Sequence, residues 1–366
     1  QSTRRRSARN SLRPAQASSR RVVAVRATAF AQMELVTGDE TGLLKALRVD
    51  GGSQQQQRIG DELQSRSRGV CRLALDGAGD GPERFHAALA SGCVETYERH
   101  AGDDGWRLAS VARGLAPETV GLFAAGGRVV SCGRAGDVQV SSLAEDCGDV
   151  ANVDASEGKD GFDVSAAAYD AASNRVLLGG KETELACVDL ASGARVWRAK
   201  NVPHDKLDMR RPVFVGAAAF LGEHEFVVGT AYAELRFYDA RASRRPVHEV
   251  AGAVDRGARA LATLRDGTVL VGDQTGDVRA YDARTRAMTR RFAGPSGSVR
   301  ELAAHPDRDG LFAACSLDRH VYVWDAAGET QAPVATVYCK QRLRSFLWLP
   351  DDEDDVVADL EDSDED

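Results

Sequence analysis

The feature that most constrains this chain is a frame that returns seven times. An apolar strand end meets a turn glycine, and an alternating strand follows that tends to close on an aromatic residue and an acid. "VGDQTGDVRAYDAR" (271–284) is the fullest copy, and "SCGRAGDVQVSS" (131–142), "LGGKETELACVD" (178–189), "VGTAYAELRFYD" (228–239) and "ACSLDRHVYVWD" (314–325) follow it. Weaker copies are "TGDETGLLKALR" (37–48) and "ALASGCVETYE" (88–98). Their closing positions fall at 48, 98, 142, 189, 239, 282 and 325, a period of about 43 to 50 residues. A unit of that size cannot bury its own apolar face, so neighbouring copies must stack.

The turn glycines supply positive φ where the chain reverses, and the alternation after each turn is that of a half-buried strand. Upstream of the turns lie further apolar strands rich in alanine: "VSAAAYD" (164–170), "VGAAAFLG" (215–222), "ARALATL" (258–264) and "VRELAAHPD" (299–307). Small side chains suit an innermost strand where blades converge on an axis; a helical alternative conflicts with the short runs and flanking turns. The period then predicts an all-β fold, a WD40-type β-propeller of about seven four-stranded blades. The first blade begins at "AQMELVTG" (31–38), already a second strand. The apolar run "RLRSFLWLP" (342–350) after the last outer strand is expected to supply the missing inner strand and so remove two exposed edges.

Three segments follow: a disordered basic arm over 1–30, the propeller over 31–350, and a disordered acidic tail over 351–366. The formal charge of −8 conceals eight arginines and no acid in residues 1–30, and eleven acids and no base in 351–366. The body is left near −5, which excludes a strongly basic surface for non-specific nucleic-acid binding. Both ends lack the apolar content that offsets ordering entropy. The arm starts with glutamine, so we expect residues upstream of it, and its composition fits an organelle transit peptide, a solvated arm or a nuclear-import patch. Ser363 sits among acids suited to an acid-directed kinase, and the tail is otherwise read as solvated or as a polyanion that holds a basic partner. No run is long and apolar enough for a membrane helix, and no membrane partner is expected.

Seven scattered cysteines without a CxxC pair predict reduced thiols, and seven isolated histidines lack ligand spacing. We expect no metal and no cofactor. His305 in "AHPD" is expected to cap a turn. No nucleophile elbow or phosphate loop is present, so we expect no enzyme and no small-molecule substrate. "YDAR" occurs at 238–241 and 281–284. It resembles the WDxR box with which some WD proteins engage the adaptor of a cullin-type ubiquitin ligase. Arg241 and Arg284 would make that contact; alternatively, each only covers its blade edge.

One stretch breaks the lattice. After the outer strand "ARVWRA" (194–199), the crossover "KNVPHDKLDMRRP" (200–212) is far longer than the about 4 to 6 residues such a connection needs. It carries Lys200, Asp205, Lys206, Asp208, Arg210 and Arg211 around Leu207 and Met209. Its residues alone leave two alternatives open: a solvated loop pinned by Leu207 and Met209, or a binding surface on one flat face.

The block "GGKETEL…WRAKNVPHDKLDMRRPVF" resembles the signature of the WD-repeat ribosome-biogenesis factors, the family of WD repeat-containing protein 74 and the yeast NOP seven-associated protein one. "VTGDETGLLKAL" (36–47), "RRPVHEV" (244–250) and "GSVRELAAHPDRDGLFAACSLDRHVYVW" (297–324) are similar to family segments too. The resemblance spans roughly 32–349. Thr183, Met209 and Arg211-Pro212 depart from the family pattern, and the family's lysine-rich end is absent. What the resemblance implies is a nucleolar, non-enzymatic scaffold in large (60S) ribosomal subunit biogenesis and rRNA processing. It would bind pre-60S assembly factors, with rRNA as a further candidate partner, and an AAA-type ATPase would release it. The family block falls on Lys181, Glu182, Arg198, Lys200, Asn201, Asp205, Leu207, Asp208 and Arg210. The cations would meet carboxylates or RNA phosphate, with Glu182, Asp205 and Asp208 orienting them.

Overall fold

The computed structural model describes residues 33–50, 53–77, 83–100, 105–114, 118–142, 149–154, 163–204 and 206–351. The basic arm over 1–30, the tail beyond Asp351 with Ser363, and the loop residue Asp205 lie outside them.

The described residues form seven four-stranded antiparallel sheets. Inner strands of successive blades contact one another in a closed circuit, as a ring of blades requires. In six blades the four strands follow chain order from axis to rim, for example Asp163–Asp170, Arg175–Lys181, Thr183–Asp189 and Ala194–Arg198 in blade 4. Blade 1 differs. Its inner strand is Leu343–Trp348, from the far end of the propeller, paired antiparallel with Met33–Asp39 through Leu35↔Trp348, Val36↔Leu347 and Thr37↔Phe346. The expected closure is therefore present, and the edge of Met33–Asp39 is covered.

The sequence frame has a hydrogen-bonded cause. In blade 6, the buried Asp273 accepts from the backbone N–H of Thr275 (2.7 Å), Gly276 (2.9 Å) and Asp277 (2.9 Å) through Oδ1, and from Arg256 N (3.0 Å) through Oδ2. One carboxylate thus organises the turn between second and third strands and ties it to the incoming crossover. Asp39 does the same for Thr41 N (2.7 Å) and Leu43 N (3.0 Å). Gly276 has φ +101°, and a Cβ there would stand 2.5 Å from the Pro295 carbonyl oxygen, so only glycine fits. The closing acids cap the next turn: Asp189, Asp239, Asp282 and Asp325 accept from the N–H two residues on, at 2.9, 3.0, 2.7 and 2.8 Å. Asp189 follows Val188, and the aromatics beside the other three acids, Tyr238, Tyr281 and Trp324, face the seam between blades. Trp324 is fully buried, stacks on Phe312 with centroids 5.2 Å apart, and donates its indole N–H to Ala293 O at 3.0 Å. Trp197 packs on Phe226 and Tyr238 of the next blade.

Because strands alternate in direction, second-to-third turns and outer-to-inner crossovers share one face of the disc. First-to-second and third-to-outer turns share the other. That division places the described candidate residues.

Candidate interaction surface

The GGKET turn of blade 4 and the long crossover to blade 5 lie together on the crossover face. Gly180 is obligatory at the turn, since a Cβ would fall 1.8 Å from the Asp163 carbonyl oxygen. Lys181 and Glu182 form the turn, with Glu182 in the left-handed region at φ 52°. Behind it the crossover returns: Glu182 N donates to Val213 O at 2.8 Å, and Lys181 bridges to Phe214. Arg210 completes the join with a 2.9 Å ion pair to the Glu182 carboxylate.

The crossover is pinched at its neck. Asn201 donates its side-chain amide to Arg211 O at 2.7 Å and accepts from Val202 N at 2.8 Å. Arg211 is anchored in turn by Glu249 (2.9 Å) and Glu234, and Glu234 also receives Arg236 at 2.8 Å. Burial alone would raise the Glu249 carboxyl, but the hydrogen bond from Arg211 and the charges of Arg236 and Arg211 hold it below its ordinary range. Val202 and Val213 are buried on either side of the neck. Between them Leu207 and Met209 stand 79% and 60% exposed, so the burial that fixes the crossover comes from the neck and not from these two.

The "RRPVHEV" segment is the other half of this construction. Arg244 Nε donates to Arg198 O at 2.7 Å, and Arg244 O accepts from Lys200 N at 2.7 Å. Arg245 lines, with Lys200, His204, Asp208 and Arg210, an open depression of about 540 Å³. Two blocks some forty residues apart are therefore one surface. His204 Nδ1 and Asp208 Oδ1 lie 2.9 Å apart across the loop, with Asp208 at φ 59°. Among the described residues, the side chains of Lys181, Lys200 and Lys206 form no ion pair. The surface thus offers cations beside two exposed apolar side chains, while Arg198 contributes its carbonyl to the frame.

Arg211, Arg244, Arg245 and Glu249 were not among the sequence-predicted site residues. The only signal for the last three was the family-like "RRPVHEV"; Arg211 was named as one of the crossover's charges and as a departure from the family pattern. Arg241 and Arg284 occupy third-to-outer turns, on the opposite face from the crossover. The Arg241 guanidinium is held by Asp239 (3.1 Å) and Glu225 (3.1 Å), and Arg284 N donates to Asp282. The structure does not bring these two into the first group.

His305 accepts through Nδ1 from Asp307 N (3.1 Å) and Arg308 N (3.2 Å), which is the expected turn cap. Its ring, Asp307 and Asp351 offer ligand atoms within 4.8 Å of one another. Arg308, however, already clasps Asp351 at 2.7 and 2.8 Å, neutralising the carboxylate a cation would need. Burial raises the Cys187 and Cys339 thiols to about 11, which keeps them protonated.

No family model matches the chain. It is similar to WD repeat-containing protein 74 of Homo sapiens, 30% identical over 292 residues that cover 77% of this chain and 72% of the relative. It is 38% identical to WD repeat-containing protein 74 of Bos taurus over 147 residues, 39% of this chain and 38% of that one. Ribosome biogenesis protein nsa1 of Schizosaccharomyces pombe is 24% identical over 181 residues, covering 44% of this chain and 45% of its own.

Proposed function

The chain belongs to the family of WD repeat-containing protein 74, and from that premise we propose that it is a non-enzymatic scaffold in ribosome biogenesis, acting on the precursor of the large subunit in the nucleolus. The observation that carries this reading is the crossover of blade 4 into blade 5. A loop that only connected strands would be short and polar. This one is braced at its neck by Asn201 and Arg211, docked by Arg244, and left with Leu207 and Met209 exposed beside Lys200 and Arg210. Apolar anchors ringed by charge on a rigid base are what a protein partner's pocket takes up. Pre-60S assembly factors are the proposed partners, with precursor ribosomal RNA within reach of the cations and an AAA-type ATPase acting on the assembled particle to free the scaffold.

Native affinity purification of the tagged chain, with mass spectrometry and RNA sequencing of the eluate, tests this. Large-subunit assembly factors together with precursor ribosomal RNA support it. A cullin adaptor without ribosomal material would overturn it and shift attention to Arg241 and Arg284 on the opposite face.

A further inference from the structure

All seven inner strands carry a bulge close to their crossover-face end, where one residue has no partner in the neighbouring strand. Going round from blade 1 the extra residues are Arg344, Cys71, Val120, Ser165, Gly216, Arg259 and Arg300. A bulge re-aims its side chain out of the regular alternation. Three consecutive blades, 6, 7 and 1, place an arginine at this position, and in blade 2 Arg72 follows directly. Blades 3 to 5 present Val120, Ser165 and Gly216 instead. Arg72, Arg259 and Arg300 line a channel of about 480 Å³ whose far wall is built of small residues such as Gly216 and Ala217.

These guanidiniums are gathered without ion-pair partners, although Asp170 and Glu301 also line the channel. Among the described residues, no carboxylate lies within ion-pair distance of Arg72, Arg259, Arg300 or Arg344. Arg72 donates only to its neighbour's carbonyl, Cys71 O, at 3.1 Å, and the buried Nε of Arg300 has no hydrogen-bond partner. Of these two acids, Glu301 is already engaged by Ser345 Oγ (2.6 Å) and Phe346 N (2.9 Å), and desolvation raises its carboxyl against the opposing charge of Arg72. Burial and the neighbouring guanidiniums likewise push Arg259 and Arg300 below the ordinary guanidinium range. Like charges held together in a half-enclosed channel oppose folding unless something else uses them.

We propose that the arginine arc at the crossover-face mouth of the central channel is a binding site for a compact anion carrying several phosphate groups. Guanidinium forks match phosphate oxygens two at a time, and four of them call for more negative charge than one carboxylate brings. The volume suits a small ligand. The proposal is independent of the assembly role and of the 200–212 crossover.

Calorimetric titration of the full chain with inositol hexakisphosphate, at low ionic strength, tests it. Saturable binding at one site is expected, with a higher melting temperature in the presence of ligand. Inorganic phosphate should compete weakly. Arg259→Gln combined with Arg300→Gln should weaken binding about tenfold or more, and Arg300→Lys should do so less. Without ligand the double variant should melt no lower than the parent, because it relieves repulsion. No saturable binding would overturn the proposal, and so would undiminished binding by the double variant. A lower melting temperature of the unliganded double variant would also overturn it, by assigning the arginines to the fold. Preferential binding of a single-stranded RNA oligonucleotide, lost in the same variant, would replace the ligand class.

Discussion

The Arg210 guanidinium meets the Glu182 carboxylate at 2.9 Å, joining the crossover that follows blade 4 to a turn within that same blade. Both side chains are about half exposed, 56% and 50%. Such a pair contributes about 0–1 kcal/mol, too little to explain it as a fold determinant.

Charge reversal at Lys200 and Arg210 should therefore leave the melting temperature nearly unchanged and detach the protein from pre-ribosomal particles, as read by co-sedimentation. Exchanging the pair, Glu182→Arg with Arg210→Glu, keeps the ion pair and moves the charge. If the exchanged variant sediments like the parent, the pair serves only to hold the loop. Unfolding of the first variant would make the loop structural.

Phe346 is 2% exposed in the strand that closes blade 1. Phe346→Ala should cost about 3–5 kcal/mol in a denaturant titration. Deleting 342–350 removes the whole strand and uncovers the edge of Met33–Asp39, so a sharp fall in melting temperature is expected together with aggregation. An unchanged melting temperature would sink the closure.

Asp273 serves four backbone donors from a buried position. Asp273→Ala should destabilise by about 2–4 kcal/mol, because charge-assisted bonds are lost and buried N–H groups are left without an acceptor. Asp239→Ala, which removes a cap at an exposed turn, should cost clearly less in the same denaturation assay. Equal costs would contradict the organising role assigned to Asp273.

His86 is fully buried and sits 3.0 Å from Thr96 Oγ1 through Nδ1. Burial, and to a smaller extent Arg84, lower its pKa from 6.5 to about 4. The unfolded chain takes up a proton as pH falls through 6.5, while the folded chain resists until about 4, so stability is lost across that window. The loss attributable to this one group approaches about 3 kcal/mol at the acid end. Comparing urea midpoints of the parent and His86→Gln over the window checks it, since carboxylates titrate alike in both; parallel curves would refute the assignment.

Much of this was legible along the chain. A turn glycine and a closing Tyr-Asp or Trp-Asp are local devices, satisfied within a few residues, so each copy announced its own blade; the aspartate that organises the turn between second and third strands emerged only with its hydrogen bonds. The orphan strand at 342–350 was legible by counting. The crossover stood out because its length broke the period. The family-like block at 244–250 was visible as well, but not what it does.

What remained hidden depends on residues that only the ring brings together. Arg211 finds Glu234 and Glu249 in the next blade, and Lys200 finds Arg244, so the brace under the crossover has no local pattern. The arc of Arg72, Arg259, Arg300 and Arg344 is spread one to a blade, and each alone reads as an ordinary polar residue in an inner strand. Seven local frames determined that the chain becomes a propeller. Only closure of the ring decided which side chains converge, because convergence on a shared axis is a property of the assembled circle and of no single repeat.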